Sequence, residues 1–239
     1  MTCNANLAIF DLDHTLLAAD SSESWAAEMQ RLGWIKDNDF WTRHRQMMDT
    51  YNHADLDMEA YLALNLSPLI GRQISQVELA ARAFVRDELL KLIYPEAKEL
   101  VESHRAAGDH LLMISASESF LVSPIAQALH FDGVIGIDVE LDQGCLTGRP
   151  QLPLSYQAGK ITHLQAYLSR QAMKPGKTWF YSDSHNDLPL LLKVDEPRPT
   201  NPNPRLLQES MSRGWSCLQL QPLIKDTALD LDRHITQVL

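Results

Sequence analysis

Leu7-Ala8-Ile9-Phe10-Asp11-Leu12-Asp13-His14-Thr15-Leu16 is the stretch on which the fold turns. Its opening apolar run is too short for a helix and lacks polar alternation, the pattern of a buried parallel strand. The run leads straight into Asp11 and Asp13, and then into the hydroxyl of Thr15. Carboxylates at the mouth of an apolar strand are costly to bury unless paired, hydrogen-bonded or metal-bound. Mg²⁺ resolves that cost: it takes one or two carboxylates, keeps waters and leaves room for phosphate oxygens. Alone, Asp-x-Asp also suits a helix N-cap or a turn. The remainder of the chain decides between these.

Downstream, residues 20–92 carry helical periodicity and no strand. Trp25, Met29 and Leu32 form one face that stops at Gly33; Phe40, His44 and Met47 form a second. Tyr61, Leu62 and residues 64–66 mark a third helix, ending near Pro68 and Gly71. Ser75 with Glu78 three residues on reads as a capping box for a fourth, running to Leu90. From Pro95 the pattern becomes strand–helix alternation, with apolar runs at 111–114, 134–137 and 179–181. Residues 139–147 read as a hairpin around Asp142-Gln143-Gly144, and 196–204, with four prolines, as a loop. Residues 205–213 form a helix ended by Gly214, and 215–220 an edge strand. The fold class is therefore α/β: a Rossmann-like parallel sheet core with helices on both faces and an inserted all-helical cap. Residues 1–19 and 93–239 make the core and 20–92 the cap.

Composition narrows the function. Over 239 residues the formal charge is −10, which opposes nucleic acid or an anionic membrane as partner. No apolar run approaches the roughly 20 residues that cross a bilayer, and no basic segment precedes the first one. Three scattered cysteines, Cys3, Cys145 and Cys217, match no metal spacing and suit a reducing compartment. The expected setting is the cytoplasm, as a monomer or small homo-oligomer.

In open α/β sheets the ligand crevice lies beyond the carboxyl ends of the strands. There this chain delivers Asp11, Asp13 and Thr15, then Ser115, then Asp183 with Asn186 and Asp187, with Lys160 opening the helix between. Singly, Lys160 is a solvated helix charge, Ser115 a cap, and Asn186 and Asp187 turn residues. Together they supply a nucleophile, an acid, metal carboxylates, a cation and hydroxyl donors at one edge. Four acidic groups would repel an anionic substrate unless Mg²⁺ and Lys160 offset them. Phosphoryl transfer asks for that combination of positioning and charge stabilisation. His14 and His185 lack the spacing of a histidine metal site and stay loop residues or outer substrate contacts.

The order Asp-Leu-Asp-His-Thr, Met-Ile-Ser, Lys160, Ser-Asp-Ser-His-Asn-Asp resembles the motifs of haloacid-dehalogenase-superfamily phosphatases. The helical insert directly after the first motif resembles the C1 cap of the phosphoserine-phosphatase-like subfamily IB. The resemblance implies that Asp11 is the nucleophile forming an aspartyl-phosphate, and that Asp13 is the general acid and then the base. It implies that Asp11, Asp13 through its carbonyl, and Asp183 bind Mg²⁺, with Asp187 and Asn186 completing the metal and phosphate shell. Ser115 and Lys160 would hold phosphoryl oxygens. Asp13 sets the chain apart from true dehalogenases, which lack the second carboxylate.

The resemblance also bears on substrate. Phosphoserine phosphatases carry an acidic residue nine positions after the nucleophile, for the substrate amine; Asp20 stands there, although it equally suits an N-cap. They place an arginine for the substrate carboxylate before a Val-Ser-Leu-Leu-x-Gly-like stretch. Here Asn65 precedes residues 66–71, and Arg72 lies nearby. Asparagine cannot replace a guanidinium. The expected substrate is thus a small amine-bearing phosphomonoester without a carboxylate, such as histidinol phosphate. Phosphoserine is the alternative, and a non-enzymatic phosphoacceptor or binding domain the alternative of another class.

Overall fold

The structure is a computed structural model and describes residues 5–53 and 57–222. Cys3 and nearly all of the segment after Gln221, to which the sequence assigned no chemistry, lie outside the described residues. Strand β1 (Leu7–Phe10) is buried along its whole length. It pairs in parallel with β2 (His110–Glu118) on one side and β6 (Thr178–Ser182) on the other. A strand covered on both faces has no polar face to show, hence the unbroken apolar run. Alternate side chains serve different layers: Ala8 and Phe10 join one hydrophobic cluster, Leu7 and Ile9 the other.

The sheet order is β3-β2-β1-β6-β7, all parallel, with β3 at Gly133–Ile137 and β7 at Glu196–Pro199. The chain fills the β2–β3 side first and the β6–β7 side later. The crevice at the carboxyl end of β1 is therefore a topological switch point. Between β1 and β2 come helices α1 (Ser21–Arg31), α2 (Phe40–His53), α3 (Met58–Leu66), α4 (Ile74–Asp87) and α5 (Pro95–Ala106). Trp25, Met29, Phe40, Leu62, Leu66 and Phe84 share the cluster that holds Phe10, so apolar packing runs unbroken from sheet to helical block. Helix α6 (Ser119–Ala128) follows β2, α7 (Gly159–Arg170) precedes β6, and α8 (Leu188–Leu191) and α9 (Pro204–Arg213) complete the second layer. No helix among the described residues is long and apolar enough to cross a membrane.

Three local expectations are corrected. The proline-rich stretch is not all loop: residues 196–199 are edge strand β7, paired with β6. At a sheet edge alternate N–H groups face outward, so Pro197 and Pro199 cost the ladder little. Helix α4 begins at Ile74 with Gln73 at its N-cap and no side-chain cap, so the Ser75 capping box does not form. The hairpin of β4 (Val139–Asp142) and β5 (Cys145–Pro150) explains this. Ile74 donates its N–H to Gly144 C=O at 3.0 Å, satisfying a helix-end donor from outside the helix. Gly71 and Leu146 extend the same seam, through Gly71 N–H to Leu146 C=O and Leu146 N–H to Arg72 C=O. Lastly, residues 215–220 form no strand, only a bridge between Leu218 and Thr200.

Candidate active site

Register sets the site. With Phe10 opposite Met113 and Tyr181, Asp11, Ser115 and Asp183 emerge within two residues of one another at the same sheet edge. Lys160 reaches them from the first turn of α7. Gly159 makes this approach possible, since a Cβ there would lie 1.9 Å from Leu154 O. Lys160 Nζ donates to Asp11 Oδ1 at 2.8 Å and to Asp187 Oδ2 at 2.7 Å, all three buried. Ser182 Oγ donates to the same Asp187 oxygen at 2.7 Å. Thr15 ties two strand ends together: its hydroxyl accepts the Asp183 N–H at 2.9 Å and lies 3.3 Å from Asp11 Oδ2 and 3.4 Å from Asp183 Oδ1.

Asp13 is held separately. Ser21 donates its N–H to Oδ1 at 2.7 Å, and Ser117 Oγ donates to Oδ2 at 2.6 Å. Ser115 is fully buried; its Oγ accepts the Ser117 N–H at 3.0 Å, and its carbonyl accepts Ser155 Oγ at 2.6 Å. Asn186 Oδ1 accepts from Gln157 Nε2 at 3.3 Å. The structure thus brings Asp11, Asp13, Ser115, Lys160, Asp183, Asn186 and Asp187 to one edge.

The residues expected to read the substrate sit above. Asp20 is the N-cap of α1, accepting Glu23 N–H at 2.8 Å. Asn65 is buried on α3, one turn beyond Tyr61, and its amide has no hydrogen-bond partner other than the Tyr61 hydroxyl. Arg72 turns to the Pro68 carbonyl at 3.0 Å and lies 4.3 Å over the Trp34 ring. His14 is exposed in a left-handed conformation, φ 54°. His185 Nδ1 is buried without a partner.

Sequence reasoning missed Ser21, Ser22, Ser117, Glu118, Ser155 and Ser182. Ser21 and Ser22 at the start of α1 lie 3.0 and 3.2 Å from Ser117 Oγ, and Ser22 Oγ donates to Glu118 Oε2 at 2.8 Å. Only Glu118 left a signal, a carboxylate at the end of a strand that begins with the apolar run 111–114.

Burial dominates the electrostatics. It pushes the Asp11 carboxyl up to about 7, against the lowering effect of Lys160 and with the help of Asp187 and Asp13. Burial and then Asp20 push Asp13 up to about 6, opposed by the hydrogen bonds from Ser117 and Ser21. Burial and then Asp11 and Asp187 hold Asp183 well above the usual carboxylate range. Burial opposes the charge on Lys160, but Asp11 and Asp187 outweigh it and raise its pKa. Asp11, Asp183 and Asp187 thus face a single ammonium. Among the described residues no three His, Cys, Asp or Glu side chains form an all-side-chain metal cage. Mg²⁺ needs none, since it binds through one or two carboxylates with waters and phosphate oxygens.

The profile of the haloacid dehalogenase-like hydrolases matches residues 8–192. The chain belongs to that family. It is 36% identical over 222 residues to a histidinol-phosphatase of Neisseria meningitidis, covering 90% of this chain and 99% of that one. A phosphoserine phosphatase of Idiomarina loihiensis is 25% identical over 194 residues, covering 81% of this chain and 80% of its own. A crystal structure of a Bordetella pertussis protein of unknown function superposes with TM-score 0.83 at 33% identity, covering 91% and 99% of the two chains. A phosphoserine phosphatase carrying a phospho-aspartyl intermediate analogue has the same fold, with TM-score 0.65 at 18% identity and coverage of 96% and 99%. Within the family, this chain is a phosphatase.

Proposed function

We propose that the protein is a Mg²⁺-dependent phosphomonoester hydrolase that works through an aspartyl-phosphate on Asp11, acting on a small amino-alcohol phosphate. The observation that carries this reading is the buried Lys160 bridge between Asp11 and Asp187, with Asp13 separately oriented beside it. Lys160 aims one Asp11 oxygen and leaves the other for attack on phosphorus. As the P–O bond to the leaving alcohol breaks, Asp13 gives that oxygen its proton; a carboxyl raised to about 6 is a fitting acid near neutrality. The Asp13 carboxylate then takes a proton from the water that attacks phosphorus and releases Asp11 and inorganic phosphate. Ser115 and Lys160 hold the phosphoryl oxygens, with Asn186 beside them.

The donor set fits a hard divalent cation: carboxylates outnumber the one ammonium, and the Asp13 carbonyl completes an all-oxygen set. Asp11, Asp13 and Asp183 would hold it. Asp187, whose Oδ2 serves Lys160 and Ser182, completes the shell. When bound, Mg²⁺ offsets the carboxylate charge and draws phosphate oxygens toward Asp11. Residues 20–92 act as a cap over the core of 1–19 and 93–239 and read the leaving group. Asp20 and the uncharged Asn65 favour an amine without a carboxylate, and histidinol phosphate is the favoured substrate. The full-length similarity to a histidinol-phosphatase supports it. Phosphoserine is the alternative, supported by relatives that are phosphoserine phosphatases. The acidic surface suits small-molecule work in the cytoplasm.

Hydrolysis of p-nitrophenyl phosphate and histidinol phosphate, with and without EDTA, tests the reading. Activity is expected only with Mg²⁺. Turnover that survives EDTA overturns the metal assignment, and a clear preference for phosphoserine overturns the substrate.

A further inference from the structure

Glu118 ends β2, three residues past Ser115, and touches neither Asp11 nor Lys160 in the hydrogen bonds and ion pairs described. It is 1% exposed. One side-chain donor reaches it, Ser22 Oγ at 2.8 Å. Among the described residues no cation pairs with it, although an isolated buried carboxylate is among the costliest groups a protein interior can hold. Burial pushes its carboxyl up to about 7, with Asp20 and Asp13 adding to the effect.

A second observation comes from a different part of the fold. On α3 the Tyr61 hydroxyl and the Asn65 amide, one turn apart, have no buried hydrogen-bond partner beyond each other, and Trp25 Nε1 on α1 is buried without one. Burial raises the Tyr61 hydroxyl well above its ordinary range; the charges of Asp20 and Glu118 add to this, and the hydrogen bond with Asn65 opposes it. Unpaired buried polar groups are few in folded proteins, and each asks for a reason. Here Tyr61 feels the charge of Glu118, a carboxylate that lacks a cation. No Lys or Arg is among these groups, so they suit a positive group far better than a carboxylate. Ser117 and Ser22 link Glu118 to Asp13, the general acid of the proposed reaction, which works at the leaving group.

We propose that Glu118 is a specificity-determining residue that receives a cationic nitrogen, ammonium or imidazolium, of the leaving alcohol, while Tyr61 and Asn65 supply uncharged hydrogen bonds beside it. This rests on the phosphatase reading for its link to turnover, but not for binding. Substrates bearing a carboxylate at this position meet Glu118 as a like charge and are rejected. Asp20, with one oxygen spent on the α1 N-terminus, is the lesser contributor.

The test compares wild type, Glu118→Gln and Glu118→Asp on histidinol phosphate, phosphoserine and p-nitrophenyl phosphate with Mg²⁺. Melting temperature and far-UV circular dichroism serve as fold controls. Glu118→Gln is expected to lower kcat/KM for histidinol phosphate ~100-fold, mostly through KM. It should leave p-nitrophenyl phosphate within about threefold and lower kcat/KM for phosphoserine, whose leaving alcohol carries a carboxylate beside its ammonium, far less than for histidinol phosphate, while Glu118→Asp keeps more of the amine preference than Gln. An equal loss on all substrates would mean that Glu118 only supports Ser22, and no loss on any would mean that it is idle; either overturns the proposal. Calorimetric binding of histidinol, which needs no turnover, separates this from the phosphatase reading. Weaker binding to Glu118→Gln supports the proposal even if hydrolysis is absent, and equal binding overturns it even if hydrolysis is fast.

Discussion

The floor and the roof of the site are built on opposite terms. On the floor the charged groups are tied to donors of the chain itself, Lys160 to Asp11 and Asp187, Ser182 to Asp187 and Thr15 to Asp183, although the carboxylates outnumber the one ammonium. In the roof Tyr61 and Asn65 have no buried polar partner beyond each other, Trp25 Nε1 has none, and among the described residues Glu118 has no cation. A preorganised floor pays no reorganisation cost when charge develops on a phosphoryl group. A roof with unmet hydrogen bonds waits for a ligand to complete it. On the proposed reading, chemistry and selectivity are divided between two regions whose polar link is the serine clasp of Ser21, Ser22 and Ser117.

That contrast can be broken by substitutions that should act on one region alone. Asp11→Asn removes the nucleophile, and its kcat should fall at least ~10³-fold on every phosphomonoester. A substrate-dependent loss would place Asp11 in recognition instead of chemistry. Asp13→Asn should lower kcat by about 10² for histidinol phosphate, but much less for p-nitrophenyl phosphate, whose leaving group departs without a proton. Equal losses would deny Asp13 the role of acid. Asn65→Leu should lower kcat/KM for histidinol phosphate by about tenfold and leave p-nitrophenyl phosphate unchanged. Its melting temperature should hold or rise, because a buried amide with no partner beyond Tyr61 gives way to an apolar group of similar shape. A drop of many degrees would show that Asn65 serves the fold.

The smallest effect concerns stability and pH. The Glu118 carboxyl lies near 7 in the folded chain against an ordinary 4.5, with burial as the main cause. The folded state then binds the proton more tightly than the unfolded state, so this group's contribution falls as pH rises through the interval from 4.5 to 7. The cost levels off above that at up to about 3 kcal/mol. Glu118→Gln should therefore melt several degrees above wild type at pH 8 and close to it at pH 4.5. The same gap at both pH values would mean that the carboxylate is not strained.

How much of this was legible in the sequence depends on the reach of each interaction. Strand β1 was legible because four buried residues in a row leave no other reading. Asp11, Ser115, Lys160, Asp183 and Asp187 were legible because each follows an apolar strand or opens a helix at the crevice edge. The start of α4 was not, because its first N–H is satisfied by Gly144 from a hairpin some seventy residues away. β7 was hidden because proline is read as a breaker, and only a sheet edge makes it harmless. Ser117 and Glu118 were hidden because their partners, Ser21 and Ser22, lie across the helical insert.

By itself, the sequence determined a parallel sheet, a helical insert and an acidic strand end with a lysine, since these follow from local periodicity and from the cost of burying charge. Tertiary structure alone decided which carboxylates find a cation within the chain and which do not. Pairing across 27 residues for Lys160 with Asp187, and 149 for Lys160 with Asp11, depends on register and packing, and no local pattern carries that information.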